Sequence, residues 1–285
     1  MALVLEATAK LNLSLEVLGE RADGYHALRS FVIPISLTDS ITLEESTHVT
    51  CDSGYDDDLM VKAVKVLWTR FPHLNERGLA IHLEKKIPVG GGLGGGSADA
   101  AAVLRGLNRL WELNLPLEKL AEIGADVGSD VPALILAQET GQPVLMEGRG
   151  EKVSLFADLP SQRFDFVLVN PGIFASTPKV FKKLKERVTN DPKIVYNIRR
   201  CYQEGNPRAL ARVLMNDLAK PACELYPEIG QAEEALRAEG VLGTLMSGSG
   251  ATVFGLVDSP SSAHAIAERL TTKGLWATQA HTIVR

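Results

Sequence analysis

The sequence predicts an α+β protein with two domains. At the amino-terminal end, residues alternate between apolar and polar types as in β-strands, and residues 100–111 show helical apolar spacing directly after a run of glycines. Near the other end, residues 241–284 follow the order strand, glycine turn, strand, helix, strand, which is typical of a ferredoxin-like, split-βαβ domain. A polar break at residues 159–162 divides the chain into predicted domains at 1–160 and 161–285.

The overall composition limits the classes of function. The chain has 285 residues, of which 45% are hydrophobic and 23% charged, and its formal net charge of −5 argues against a basic nucleic-acid-binding surface. Its three cysteines, Cys51, Cys201 and Cys223, show no zinc-binding spacing. The first ten residues lack a signal-peptide pattern, and no apolar run is long enough to span a membrane. We therefore expect a cytoplasmic monomer or homodimer that binds a small molecule, without nucleic acid or membrane.

Strands and one helix are predicted in the first third of the chain. In the strand at residues 3–17, Lys10 and Asn12 fall on the polar phase, so both side chains can share one face. The pattern alone is equally consistent with a solvated sheet face. Strands are also predicted at residues 31–35, 40–43 and 79–83, and a helix at residues 57–71, with these residues facing inward: Met60, Val64, Leu67, Trp68 and Phe71.

A turn with two ring side chains follows the first strand, at Arg21-Ala22-Asp23-Gly24-Tyr25-His26. The Asp-Gly pair marks the turn. A tyrosine ring can stack on a flat base, and an imidazole offers one donor and one acceptor to a base edge. The alternative is that both side chains merely cover the end of the sheet.

The most distinctive stretch is Pro88-Val89-Gly90-Gly91-Gly92-Leu93-Gly94-Gly95-Gly96-Ser97. Its six glycines permit positive φ angles and close approach of the backbone to a ligand. With Ser97 as the expected N-cap of the following helix, free amides and the positive end of the helix dipole would face a phosphate group. The sequence lacks the Gly-Lys-Ser/Thr of a Walker A loop and the context of a dinucleotide-binding motif. A flexible linker is the remaining alternative.

Two aspartates form a second candidate site. Asp126 and Asp130 lie in the segment Gly124-Ala125-Asp126-Val127-Gly128-Ser129-Asp130-Val131-Pro132, after a helix predicted at residues 117–123 with Pro116 in its first turn. Aspartates beside glycine and proline are usually cap or turn residues.

The rest of the chain is predicted to alternate between strands and helices. Strands are expected at residues 143–146, 164–169, 241–246, 252–257 and 276–284, with a turn at residues 147–151. Helical segments are expected after Thr177-Pro178, including Phe181, on to about residue 239, and again at residues 261–272. Between two strands lies the turn Met246-Ser247-Gly248-Ser249-Gly250-Ala251, which predicts either a simple hairpin or a second backbone cradle.

Three separated motifs resemble those of the GHMP kinases, a family of small-molecule kinases. They are the first strand with the Tyr25-His26 turn, the glycine loop ending in Ser97-Ala98-Asp99-Ala100-Ala101, and the 246–251 turn, where Ser249 replaces a common threonine. The resemblance implies a two-domain GHMP kinase fold: an N-terminal domain similar to domain 2 of ribosomal protein S5, and a ferredoxin-like C-terminal domain.

The resemblance also implies roles for individual residues. It places residues 88–97 at the phosphates of ATP, with Mg²⁺ as second cofactor, although the sequence offers no dedicated carboxylate pair for the metal. Lys10 and Asp130 would be catalytic, with Asp126 as the alternative to Asp130. The acceptor would be bound by Asn12, Tyr25, His26 and Phe181. These residues suit an acceptor that carries a cytosine base; kinases of homoserine, mevalonate or sugars, and a non-catalytic nucleotide sensor, are the alternatives.

Overall fold

The structure, a computed structural model, describes residues 2–184, 189 and 191–284. The strands of these residues are β1 Ala2–Glu20, β2 His26–Ser46, β3 Thr50–Cys51, β4 Gly78–Glu84, β5 Val144–Gly148, β6 Lys152–Leu155, β7 Asp165–Asn170, β8 Met215–Asn216, β9 Gly243–Met246, β10 Val253–Val257 and β11 Trp276–His281. The helices are α1 Leu59–Arg70, α2 Gly95–Leu110, α3 Leu117–Val127, α4 Val131–Thr140, α5 Thr177–Lys183, α6 Lys193–Gln203, α7 Pro207–Ala211, α8 Ala219–Leu225, α9 Pro227–Ala238 and α10 Pro260–Thr272, with a 3₁₀ turn at Pro72–Leu74.

The first sheet is built around the long antiparallel pair of β1 and β2. Its order is β3-β4-β2-β1-β8, and β5 extends the β2 side and pairs with β6. Residues 31–35 and 40–43, predicted as separate strands, belong to the single strand β2. The polar residues between them stay in the ladder because β1 pairs with them, with Thr38 opposite Thr8 and Asp39 opposite Ala7.

Helices α2 and α4 pack on this sheet, and α1 and α3 pack against these two helices. The inward positions predicted for α1 and α2 are confirmed, since Met60, Val64, Leu67, Ala100, Val103, Leu104, Leu107 and Trp111 are buried, and Trp68 and Phe71 pack against the same core. Leu11 and Leu13 of β1 lie in this core, whereas Leu15 and Val17 lie in a second core at the other sheet. Because β1 is covered on both faces, Lys10 and Asn12 are buried and not solvated.

The second sheet confirms the ferredoxin-like prediction. Its order is β11-β7-β10-β9, with every neighbouring pair antiparallel, and α9 and α10 pack on it. The predicted boundary at residue 160 falls in the connection between β6 and β7. However, Ile198 and Tyr202 of α6 lie in the first core, where the Tyr202 ring is 5.8 Å from that of Phe31. The domain limits therefore stay a prediction.

Several element limits differ from the sequence prediction. Helix α3 continues beyond residue 123 to Val127, so Asp126 is helical, and Pro116 is its N-cap. The short strand β8 interrupts the helical segments predicted up to residue 239, and residues 185–188 and 190 of that range lie outside the described residues. Among the helices that the structure describes, none combines the length and the apolar character that a membrane span requires.

Candidate active site

A cavity of about 880 Å³ brings most of the predicted site residues together. Those that line it are Lys10, Asn12, Tyr25, His26, Gly90, Gly91, Gly92, Gly94, Gly95, Gly96, Ser97, Asp130 and Phe181, together with residues 248–250 of the second glycine turn. Three residues of the predicted phosphate loop do not line the cavity: Pro88, Val89 and Leu93. Leu93 is instead buried in the core, and Val89 is exposed.

Helix α2 begins earlier than its sequence predicts. Its N-cap is Gly94, whose φ of +71° is readily adopted only by glycine, so the prediction of Ser97 as N-cap is wrong. Ser97 instead occupies the first turn. No side chain caps this helix, and its first intrahelical bond runs from the Ala98 amide to the Gly94 carbonyl. The amides of Gly95, Gly96 and Ser97 therefore have no helical acceptor and suit an anion.

The first half of the glycine loop docks onto the second glycine turn. The Gly91 carbonyl accepts a hydrogen bond of 3.0 Å from the Thr252 amide, and the Gly92 carbonyl accepts one of 3.0 Å from the Ser247 hydroxyl. A Cβ at Gly92 would overlap the carbonyl oxygen of Ser247. The 246–251 turn thus does more than reverse the chain, because it holds the glycine loop from the second sheet.

Asn216 of β8 holds this turn from below and was missed by the sequence analysis. Its buried side-chain amide donates hydrogen bonds to the carbonyls of Met246, at 2.7 Å, and Gly248, at 2.8 Å. Its own oxygen accepts from the Leu218 amide at 2.9 Å. A two-residue strand carries no periodic pattern, so the sequence offered no indication that Asn216 reaches this site.

Lys10 lies between the glycine loop and Asp130. Its ammonium donates to Asn12 Oδ1 at 2.5 Å and to the Gly92 carbonyl at 2.8 Å, and it lies 3.8 Å from Asp130 Oδ2. Burial lowers the pKa of Lys10, and the charge of Asp130 partly opposes that shift. Asn12 is fixed in turn, because its amide donates to the Ser30 hydroxyl at 2.8 Å.

The structure separates the two candidate aspartates. Asp130 takes the N-cap position of α4 but makes no capping bond, and its side chain is 36% exposed in the cavity. Asp126 does not line the cavity and pairs with Arg70 at 2.6 Å. The position next to Lys10 and the glycine loop therefore belongs to Asp130.

The three predicted ring side chains also line the cavity. Tyr25 is 56% exposed, and the ring of His26 stacks on that of Phe181 at 5.0 Å. The resemblance places an aromatic ring opposite Tyr25. Phe181, the candidate for that role, contacts His26 here, and the ring of Tyr25 is covered by the guanidinium of Arg149 at 5.4 Å.

A buried ion cluster supports the loop from behind. The Lys85 ammonium binds Asp39 at 2.5 Å and Asp99 at 2.6 Å, and it would lie 3.0 Å from a Cβ built at Gly95. Burial raises the pKa of Asp99; Lys85 opposes this shift, the charge of Asp39 adds to it, and the result is a pKa of about 7. Its Oδ1 atom is buried without a hydrogen-bond partner among the described residues.

We expect Asp99→Asn to reduce the dependence of stability on pH. Because the folded-state pKa of Asp99 is about 7 and its ordinary value is 3.8, the folded protein holds a proton that the unfolded chain releases between these values. As the pH rises through that window, the free energy of unfolding therefore falls by about 1.4 kcal/mol per pH unit. Melting temperatures from pH 5 to 8 measure this. Asp126→Asn is the matched control, and equal slopes in wild type and Asp99→Asn would contradict the assignment.

This fold, and a cavity that brings the glycine loop together with Lys10 and Asp130, are those expected of a small-molecule kinase. Residues 58–138 match the GHMP kinases N terminal domain, and residues 195–274 match the GHMP kinases C terminal domain. The chain belongs to the GHMP kinase family and, within it, to the family of its relatives named 4-diphosphocytidyl-2-C-methyl-D-erythritol kinase. One such relative, from Citrifermentans bemidjiense, is 41% identical over 99% of both chains, and another, from Caldicellulosiruptor saccharolyticus, is 36% identical over 94% of this chain and 92% of its own.

Solved structures agree with this assignment. The chain resembles a crystal structure of 4-(cytidine 5'-diphospho)-2C-methyl-D-erythritol kinase with a TM-score of 0.81 and 33% identity, covering 98% of this chain and 99% of that one. Homoserine kinase from Cytophaga hutchinsonii is similar with a TM-score of 0.74 at 16% identity, covering 99% of this chain and 95% of that one. At that identity the likeness shows the fold alone.

Proposed function

We propose that the protein transfers the γ-phosphoryl group of ATP to the 2-hydroxyl group of 4-diphosphocytidyl-2-C-methyl-D-erythritol, a step of the non-mevalonate route to isoprenoid precursors. The observation that carries this proposal is that one cavity holds Lys10 and Asp130, the glycine loop, and the base-suited Tyr25 and His26. The names and full-length coverage of the relatives support the same acceptor. We further expect a cytoplasmic monomer or homodimer.

The glycine loop fits the phosphates of ATP. The uncapped amides of Gly95, Gly96 and Ser97 would donate to phosphate oxygens. Gly90, Gly92 and Gly94 have positive φ angles that favour glycine, and because glycine has no Cβ the backbone can approach the phosphates closely. When bound, ATP supplies the γ-phosphoryl group. Among the described residues there is no group of three or more His, Cys, Asp or Glu side chains able to hold a metal. Mg²⁺ would therefore be held mainly by phosphate oxygens, with the Ser97 hydroxyl as the nearby protein donor.

Asp130 and Lys10 would provide the chemistry on the protein side. Phosphoryl transfer depends mostly on positioning and on stabilisation of charge. Asp130 accepts the proton of the acceptor hydroxyl on its carboxylate, and the Lys10 ammonium, 3.8 Å from Oδ2, stabilises negative charge on the reacting oxygens. Asn12 and the Gly92 carbonyl hold that ammonium in place.

The far end of the cavity would select the acceptor. Tyr25 is 56% exposed and Arg149 lies over one face of its ring, so a cytosine would stack on the other face. His26 offers a donor and an acceptor to the edge of the base. Phe181, stacked on His26, adds a second apolar surface. Acceptors such as homoserine and mevalonate carry no base and would leave these rings unused.

The test measures ADP release by the purified protein in the presence of Mg·ATP. The cytidyl acceptor is added or left out, and mevalonate and homoserine are tested as acceptors in parallel. Turnover with the cytidyl acceptor alone is the expected result. Turnover with another alcohol would assign the protein to a different GHMP kinase reaction. ATP binding without turnover on any alcohol would instead support a nucleotide sensor. Protection against heat by CMP or CDP tests the base site independently.

A further inference from the structure

Arg149 lies in the turn between β5 and β6 and was not singled out for any role by the sequence motifs. It occupies the variable position of a Gly-x-Gly-Glu pattern. In the structure its guanidinium covers the ring of Tyr25 at 5.4 Å, and both side chains line the cavity. Such cation–π contact orients the guanidinium plane along the ring.

Two carboxylates near Arg149 pair with another arginine. Asp23 and Glu151 are the carboxylates whose pKa values its charge helps to lower. Both already pair with Arg21, at 3.0 Å and 3.4 Å. Glu151 binds Arg149 only through the backbone amide, at 2.6 Å. Within the described part of the chain, the Arg149 guanidinium makes no hydrogen bond or ion pair.

The turn that carries Arg149 also packs against the segment that precedes Asp130. On one side it covers Tyr25, at the end suited to a base. On the other side its neighbour Gly150 is packed so tightly that a Cβ there would lie 2.7 Å from the carbonyl oxygen of Ser129, the residue before Asp130. The turn therefore contacts both Tyr25, which is suited to a base, and the residue before Asp130.

We propose that Arg149 binds the diphosphate of the acceptor. This inference rests on the proposed function, since the diphosphate of that acceptor lies chemically between its cytosine base and its reacting alcohol. A guanidinium presents paired N–H donors that match phosphate oxygens. Lys10 is already engaged at the reacting end. Lys182 of α5 also lines the cavity and is a cation, so it provides the comparison for Arg149.

The experiment compares the affinities of cytidine and CDP for wild type, Arg149→Gln and Lys182→Gln by calorimetry, with saturating Mg·ADP to occupy the nucleotide site. Wild type is expected to prefer CDP. Arg149→Gln should lose about tenfold in CDP affinity, the usual scale for a hydrogen bond to a charged group, while its cytidine affinity stays close to wild type. Lys182→Gln should keep the wild-type preference. Arg149→Lys keeps the charge but loses the planar guanidinium. Its affinity for CDP should lie between those of wild type and Arg149→Gln.

Each contrary result has a distinct meaning. Equal losses for cytidine and CDP in Arg149→Gln would show that Arg149 only supports the Tyr25 ring, and this overturns the inference. Loss of the CDP preference in Lys182→Gln alone would assign the diphosphate to Lys182 and also overturn it. If wild type binds neither ligand, the proposed function fails first and the inference with it. Retained cytidine affinity in the variants shows that they are folded.

Discussion

Replacing Asp130 by asparagine should abolish turnover while leaving ATP affinity near that of wild type. The asparagine amide cannot accept the hydroxyl proton, and loss of a general base typically costs about 10²–10⁴ in rate. Asparagine is nearly isosteric and is well tolerated at a helix N-cap, the position that Asp130 takes in α4. The measurement is kcat for ADP release with the cytidyl acceptor, together with the dissociation constant of ATP.

The matched control for this variant is Asp126→Asn. Asp126 lies four residues earlier, on α3, and its carboxylate pairs with Arg70 at an exposed position outside the cavity. Exposed pairs of this kind contribute little to stability, so the control should keep wild-type turnover. Activity in Asp130→Asn combined with inactivity in Asp126→Asn would move the base to Asp126.

Much of the fold was predictable because its determinants are local. The patterns of β1, β4, α1 and α2 are properties of neighbouring residues. The limits of β1, β4 and α1 were predicted nearly correctly, whereas α2 begins before its predicted N-cap, Ser97. Three strands of the ferredoxin-like sheet were predictable for the same reason, since β9, β10 and β11 follow one another along the chain with the glycine turn and α10 between them. The fourth strand, β7, joins them from an earlier part of the chain. The residues of the glycine loop that line the cavity were predicted from their sequence motif.

The remainder depends on contacts between distant parts of the chain. Lys85, Asp39 and Asp99 come from three separate elements, and no spacing in the sequence links them. Asn216 reaches the 246–251 turn only because β8 pairs with β1. The error at Ser97 has a related cause: the positive φ of Gly94 ends the loop, and the glycine run gave no indication which glycine would adopt that angle.

Gly92→Ala should both destabilise the protein and abolish turnover. The φ of +75° at Gly92 is strained for alanine, and the added Cβ would overlap the Ser247 carbonyl oxygen and lie 2.9 Å from that of Gly250. Both are backbone atoms of the opposing turn, so relief requires the two glycine segments to separate. We expect a loss of about 3 kcal/mol in the free energy of unfolding. Separation would also move the Gly92 carbonyl that holds Lys10. Urea unfolding and ADP release measure the two effects.

Gly96→Ala is the control within the same loop, for stability alone. Gly96 is helical, and a Cβ there would meet only a Leu59 side-chain carbon at 3.8 Å, an ordinary contact. Alanine is a better helix former than glycine, so this variant should unfold at or above the wild-type urea concentration. If Gly92→Ala were as stable as Gly96→Ala, the tight contact between the two glycine segments would not exist in solution. A loss of stability confined to Gly92→Ala would mean that the glycine loop keeps its shape because the 246–251 turn of the second sheet holds it.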